Sequence, residues 1–184
     1  MMAMDAQEQG KKSRDTGLQF ENQIVKMFIK YFRESEKRGL AYRVTPPAFH
    51  PAPGDVMVES RDCKQMFFII ECKSRKVNSE GCINTNEIIQ KEQFHRLMTF
   101  AEYGGRIPLY AIELRGAVTE AYLVPASELY LYSQMQRDFQ PLDFIDYKLL
   151  RIKFMKNYNY VLHDELVKLL IKSKVVSGWT EKNL

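Results

Sequence analysis

Three features of the chain predict an α/β fold, a mixed β-sheet with helices on both faces. The run Met66-Phe67-Phe68-Ile69-Ile70 is continuously apolar, as a strand covered on both sides must be. A helical pattern capped by Asn84-Thr85-Asn86-Glu87 separates that run from two further apolar strands at 107–114 and 120–124. A helix between buried strands is the order expected of a crossover joining parallel neighbours. Finally, a long amphipathic pattern precedes all of these.

The totals are those of a globular protein. Of 184 residues, 45% are hydrophobic and 27% charged, and no apolar run approaches a membrane span. That length suits one domain, here divided into a frayed terminus over 1–10, a core over 11–135 and a basic extension over 136–184 packed on the core. The first nine residues lack the basic start and apolar stretch of a secretory leader. Cys63, Cys72 and Cys82 are odd in number and form no C-x-x-C pair, which speaks against a disulfide framework or a zinc site. Reduced thiols and an intracellular location are expected, cytoplasmic or nucleoid-associated, or in a host cell for a virus-encoded chain. The net charge of +4 permits an anionic partner. Its lysines and arginines gather in two places, Lys11, Lys12 and Arg14 near the start and Lys148 to Lys174 in the tail.

Taken in order, Thr16-Gly17-Leu18-Gln19 has the form of a capping box and opens a helix of about 20 residues ending near Gly39. Glu21 falls among Leu18, Ile24, Val25, Phe28 and Phe32 on the apolar stripe, with Gly17 one turn earlier leaving room beside it. A carboxylate there must find a partner, protonate, join a metal site, or reach water at the stripe's end. A strand follows over 40–44. Pro46, Pro47, Pro51 and Pro53 then impose a stiff extended loop, whose His50 is not assigned to the site.

The short strand opening at Asp55 and the run at 66–70 are joined by a hairpin through Ser60-Arg61-Asp62, which brings Asp55 beside Glu71. Strand alternation puts Glu71 and Lys73 on one face and Cys72 on the other. Two carboxylates held together repel unless a proton or cation lies between them, and oxygen ligands suit Mg²⁺ or Mn²⁺. By themselves, an Asp at a strand start and an E-x-K at a strand end read first as solvated edge charges, so the rest of the chain must supply the case for a site. Beyond Lys73, Ser74, Arg75 and Lys76 offer phosphate contacts and 77–83 reads as a loop. The helix from Asn84 to Gly104-Gly105 presents Phe94, Leu97, Met98 and Ala101 on one face, with Gln90 on that face and Gln93 at its margin. Either glutamine can hold a catalytic water or side chain, or stay solvated. After the strands at 107–114 and 120–124 come a short helix over 125–133, a possible strand over 149–155 and a basic amphipathic helix over 162–171.

Pro53-Gly54-Asp55 followed by Glu71-Cys72-Lys73 resembles the two halves of the PD-(D/E)xK nuclease motif. With Lys12-Ser13-Arg14 leading to Gly17 and Glu21, and Ile69 to Lys76, the chain is most similar to Holliday junction resolvases of the archaeal Hjc and bacterial RecU types over residues 11–124. The resemblance implies a restriction-endonuclease-like fold and a homodimer that binds four-way DNA junctions and makes paired Mg²⁺-dependent cuts, with Mn²⁺ able to substitute. It implies Asp55, Glu71 and the Cys72 backbone carbonyl as metal ligands, Lys73 at the attacking water, and Glu21 as a further acidic ligand through water. Asn22 departs from the basic residue an archaeal resolvase often has there, and the proline-rich loop is not matched. Two alternatives stand beside this one: another endonuclease of the same superfamily (restriction, transposition or repair type), and a DNA-binding module without chemistry.

Overall fold

The computed structural model describes residues 6–45, 51–62, 66–135, 138–139, 148, 150–154 and 157–173. Helix α1 spans Ala6–Glu34, starting well ahead of Thr16. Its buried positions are Phe20, Ile24, Met27, Phe28, Tyr31 and Phe32, spaced as one helical stripe. That stripe is rotated from the one expected. Leu18 is exposed, so Glu21 lies at the margin of the apolar face instead of within it. Gly17 is not needed for room, because a Cβ there would meet nothing.

The turn after α1 places Glu36 in the left-handed region at φ 54°, and Gly39, expected as the helix stop, instead opens strand β1 (Gly39–Arg43). Glycine is required there by close approach: a Cβ would stand 2.5 Å from the Phe32 ring. Strands β2 (Val56–Ser60) and β3 (Phe67–Lys76) complete an antiparallel meander with β1. The chain then forms β4 (Ile83–Asn84), α2 (Thr85–Ile88) and α3 (Lys91–Gly104) before β5 (Ile107–Arg115) pairs parallel to β3. β6 (Thr119–Pro125) is antiparallel to β5, giving a five-stranded sheet in the order β1-β2-β3-β5-β6. The single helix expected over this crossover is therefore two. Ile89 and Gln90 are extended and break it, while Gly105 ends α3 in the left-handed conformation at φ 59°.

Helices cover both faces, as the sequence predicts. On one side Phe20, Ile24 and Phe28 of α1 pack against Val56, Phe68, Ile70 and Leu109. On the other, Phe94, Leu97 and Met98 of α3 and Leu129 of α4 (Ala126–Met135) pack on Ile69, Tyr110 and Ile112. Each large buried side chain contributes about 1.5–3 kcal/mol to folding, so both layers are needed to hold β3 central.

The tail supplies part of the first core. After β7 (Asp138–Phe139, paired to β4), the hairpin β8 (Leu150–Phe154) and β9 (Asn157–Val161) leads into α5 (Asp164–Lys172). Tyr160, Leu162, Leu166, Val167 and Leu170 are buried with the α1 residues. Asp164 ties the two helices together, accepting from the Tyr31 hydroxyl at 2.6 Å and Lys37 Nζ at 3.0 Å. Residues 1–5, His50, Cys63 and the tail beyond 173 lie outside the described residues.

Candidate active site

Asp55 is fixed by its backbone before its side chain is considered. Its N–H donates to Ile70 O at 2.8 Å and its carbonyl accepts from Val44 N at 2.8 Å, so it continues the sheet between β1 and β3. The preceding Gly54 is buried against β3, where a Cβ would lie 3.0 Å from the Ile69 side chain and 3.2 Å from Ile70 O. The Pro53-Gly54 step thus lets the backbone approach closely enough for Asp55 to reach across. Asp55 Oδ2 accepts a hydrogen bond from Cys72 N at 2.7 Å.

Along β3 the side chains alternate as expected. Glu71 and Lys73 share the face that α3 covers, and both are buried. Lys73 Nζ donates to Glu71 Oε1 at 2.8 Å and to Gln93 Oε1 at 2.5 Å. The partly buried Cys72 packs against the α1 side, and burial pushes its thiol pKa up, with the charges of Asp55, Glu21 and Glu71 adding to the effect.

Asp55 carries the clearest electrostatic signature. Burial, and next the Glu71 charge, push its carboxyl from 3.8 up to about 7, against the opposing pull of the Cys72 N–H and Lys73. Glu21 contributes to the same rise, so it is close enough for its field to be felt. Its direct partner, however, is Arg43, whose Nε donates to Glu21 Oε2 at 2.7 Å. Among the described residues no three His, Cys, Asp or Glu side chains are gathered as a metal cluster. What converges is a carboxylate pair, Asp55 and Glu71, with Lys73 between Glu71 and Gln93, and Glu21 at the rim.

The other expected contacts divide. Gln93 reaches Lys73, whereas Gln90 is exposed, because the break at Ile89-Gln90 turns it away from the buried face. Arg14 is exposed; the side chains of Lys11 and Lys12 lie outside the described residues. Lys76 is exposed, and Arg75 donates to Glu87 O and Ser74 O. Ser74 cannot meet a phosphate in this arrangement, since strand parity turns it to the α1 face, where it is buried and donates to Glu113 Oε2 at 2.5 Å. The sequence reading missed Arg43. Its signal was the alternation of β1, which places Arg43 on the same side as the buried Ala41.

The donor set fits a hard divalent ion. Two carboxylates held beside a single ammonium leave a net negative site, and their mutual repulsion is already expressed in the raised Asp55. Mg²⁺ is commonly held by one or two carboxylates and completes its shell with water, so a third acidic side chain is not required.

No family model and no curated protein matches the chain. Among solved structures it is similar to Hjc, a Holliday junction resolvase of the archaeal hyperthermophile Archaeoglobus fulgidus, at 18% identity and a TM-score of 0.43. That similarity covers 65% of this chain and 90% of the resolvase.

Proposed function

We propose that the protein is a metal-dependent endodeoxyribonuclease, and within that class a structure-specific enzyme that makes paired cuts in four-way DNA junctions. The observation that supports the chemistry is the pairing of Asp55 with Glu71 beside Lys73 on the central strands, with Asp55 raised to about 7 by burial and by its neighbour's charge. Asp55 and Glu71 would hold Mg²⁺, or Mn²⁺ in its place, with the Cys72 carbonyl as a further oxygen. When bound, the ion supplies Lewis-acid activation of water and neutralises charge at the phosphorus centre. Lys73, oriented by Gln93, places an ammonium where the attacking water or the charged phosphoryl group needs it. Glu21 stays at the rim as an acidic group held by Arg43. Exposed Arg14 and Lys76 contribute phosphate contacts, which set affinity more than chemistry. Junction preference and a homodimer follow from the resemblance of the motifs and belong to the same proposal.

The test is incubation of the protein with a labelled four-way junction and Mg²⁺, alongside the duplexes that form its arms. Two symmetric nicks in the junction and little cutting of the arms are expected. Equal cutting of the arms would point to another nuclease of this fold. No cutting of any DNA with Mg²⁺ or Mn²⁺ would leave a DNA-binding module.

A further inference from the structure

Tyr110 sits on β5 directly opposite Glu71 in the parallel register, so the two side chains leave the sheet on the same face. It is completely buried, in the same apolar cluster as Phe94 of α3. Its hydroxyl is one of four buried side-chain polar atoms without a hydrogen-bond partner among the described residues. The other three are single nitrogens of Arg96, Arg106 and Arg115, whose guanidinium groups carry further donors. A phenol has one polar atom, so Tyr110 has no such alternative. Leaving a buried hydroxyl unpaired is destabilising, a cost a phenylalanine would avoid.

The surroundings indicate what the hydroxyl serves. After burial, the charges of Glu71 and then Asp55 are what raise its pKa, so both carboxylates act on the phenol although neither bonds to it directly. A phenol and two carboxylates supply the two to four polar partners that an internal water needs.

We propose that Tyr110 is a positioning residue for the Asp55–Glu71 pair, its hydroxyl donating to a water that bridges it to these carboxylates and holds them ready for a divalent ion. The inference rests on the metal-site reading above. Outer groups of this kind typically change metal affinity by about 10- to 100-fold.

The test is calorimetric titration of Mn²⁺ into the DNA-free full chain, wild type against Tyr110→Phe, together with the Tm of each in chelator. The expected result is about a tenfold weaker Mn²⁺ affinity in Y110F, with a metal-free Tm close to that of wild type because the bridging water keeps its carboxylate partners. Unchanged Mn²⁺ affinity in Y110F would overturn the role of Tyr110 and leave the carboxylate site standing. A metal-free Tm several degrees lower would overturn it too, by showing that the hydroxyl serves the core. Failure of the wild type itself to bind Mn²⁺ would remove the site and this inference together.

Discussion

The two faces of the central sheet each bury a carboxylate, Glu113 of β5 on one and Glu71 of β3 on the other, and they treat it in opposite ways. On the α1 face Glu113 accepts from two neutral hydroxyls, Ser74 at 2.5 Å and Tyr160 at 2.7 Å, with Arg115 at 3.9 Å. On the α3 face Glu71 is held by the Lys73 ammonium at 2.8 Å, which it shares with Gln93, and a second carboxylate stands nearby at Asp55. The first arrangement is closed: each Glu113 oxygen has a donor, and the bond from Tyr160 joins β9 to the central sheet. The second is under-neutralised, with two acids to one ammonium. Burial alone therefore does not separate the two carboxylates; the uncompensated charge beside Glu71 does, and on it the proposed role of Glu71 rests.

The comparison predicts that substitutions on the two faces separate activity from stability. Asp55→Asn or Glu71→Gln should lower Mg²⁺-dependent cleavage about a thousandfold, the scale of lost electrostatic stabilisation at a transition state, while junction binding in a gel-shift assay remains. Cleavage at the parental rate by either variant would remove these residues from the site. Tyr160→Phe should do the reverse. Loss of one donor to buried Glu113 should cost about 1–3 kcal/mol, a Tm drop of several degrees in thermal melts, with cleavage per folded molecule unchanged. Gln93→Leu should reduce the cleavage rate about tenfold, as expected for a group that orients Lys73, and should also lower the Tm by a few degrees because the buried ammonium loses an acceptor.

A pH titration sharpens the contrast further. The Asp55 carboxyl is raised from 3.8 to about 7, so between those values the folded protein holds a proton that the unfolded chain has released. The stability this contributes is full below the lower value and lost as pH climbs through the upper one. Denaturant unfolding of metal-free protein should show stability falling over that window, and Asp55→Asn should flatten the fall. Added Mg²⁺ should offset it, because the ion stabilises the charged pair.

Much of this site was legible in the sequence because it depends on local rules. Strand alternation separates Glu71 and Lys73 from Cys72, and the Pro53-Gly54 step permits the close approach that delivers Asp55 to β3. Continuous apolarity at 66–70 marked a strand that is buried on both faces at Phe68, Ile69 and Ile70, with Phe67 exposed at its start. The features that escaped depend on contacts between distant residues. Glu21 pairs with Arg43, 22 positions away, and Tyr160 reaches Glu113 across 47. A helical wheel for α1 placed Glu21 among apolar neighbours because Leu18 and Val25 resemble core residues in sequence. In the fold the stripe is centred on Phe20, Ile24 and Phe28, which leaves Leu18 in solvent. Gln90 and Gln93 exchanged roles for a related reason. A wheel assumes an unbroken helix, and the extended backbone at Ile89-Gln90 resets it. The tail gave no motif, yet it completes the core under α1, because a basic amphipathic helix shows that it packs without showing where.

On the proposed function, the uncompensated carboxylates on the α3 face share one divalent ion. Crystals of the protein soaked in Mn²⁺ and measured for anomalous scattering test it most directly. A peak within coordination distance of both Asp55 and Glu71 is predicted, and it should disappear in Glu71→Gln. An ordered site lacking any such peak, or Mn²⁺ bound only at carboxylates elsewhere on the chain, would rule out a shared ion at Asp55 and Glu71.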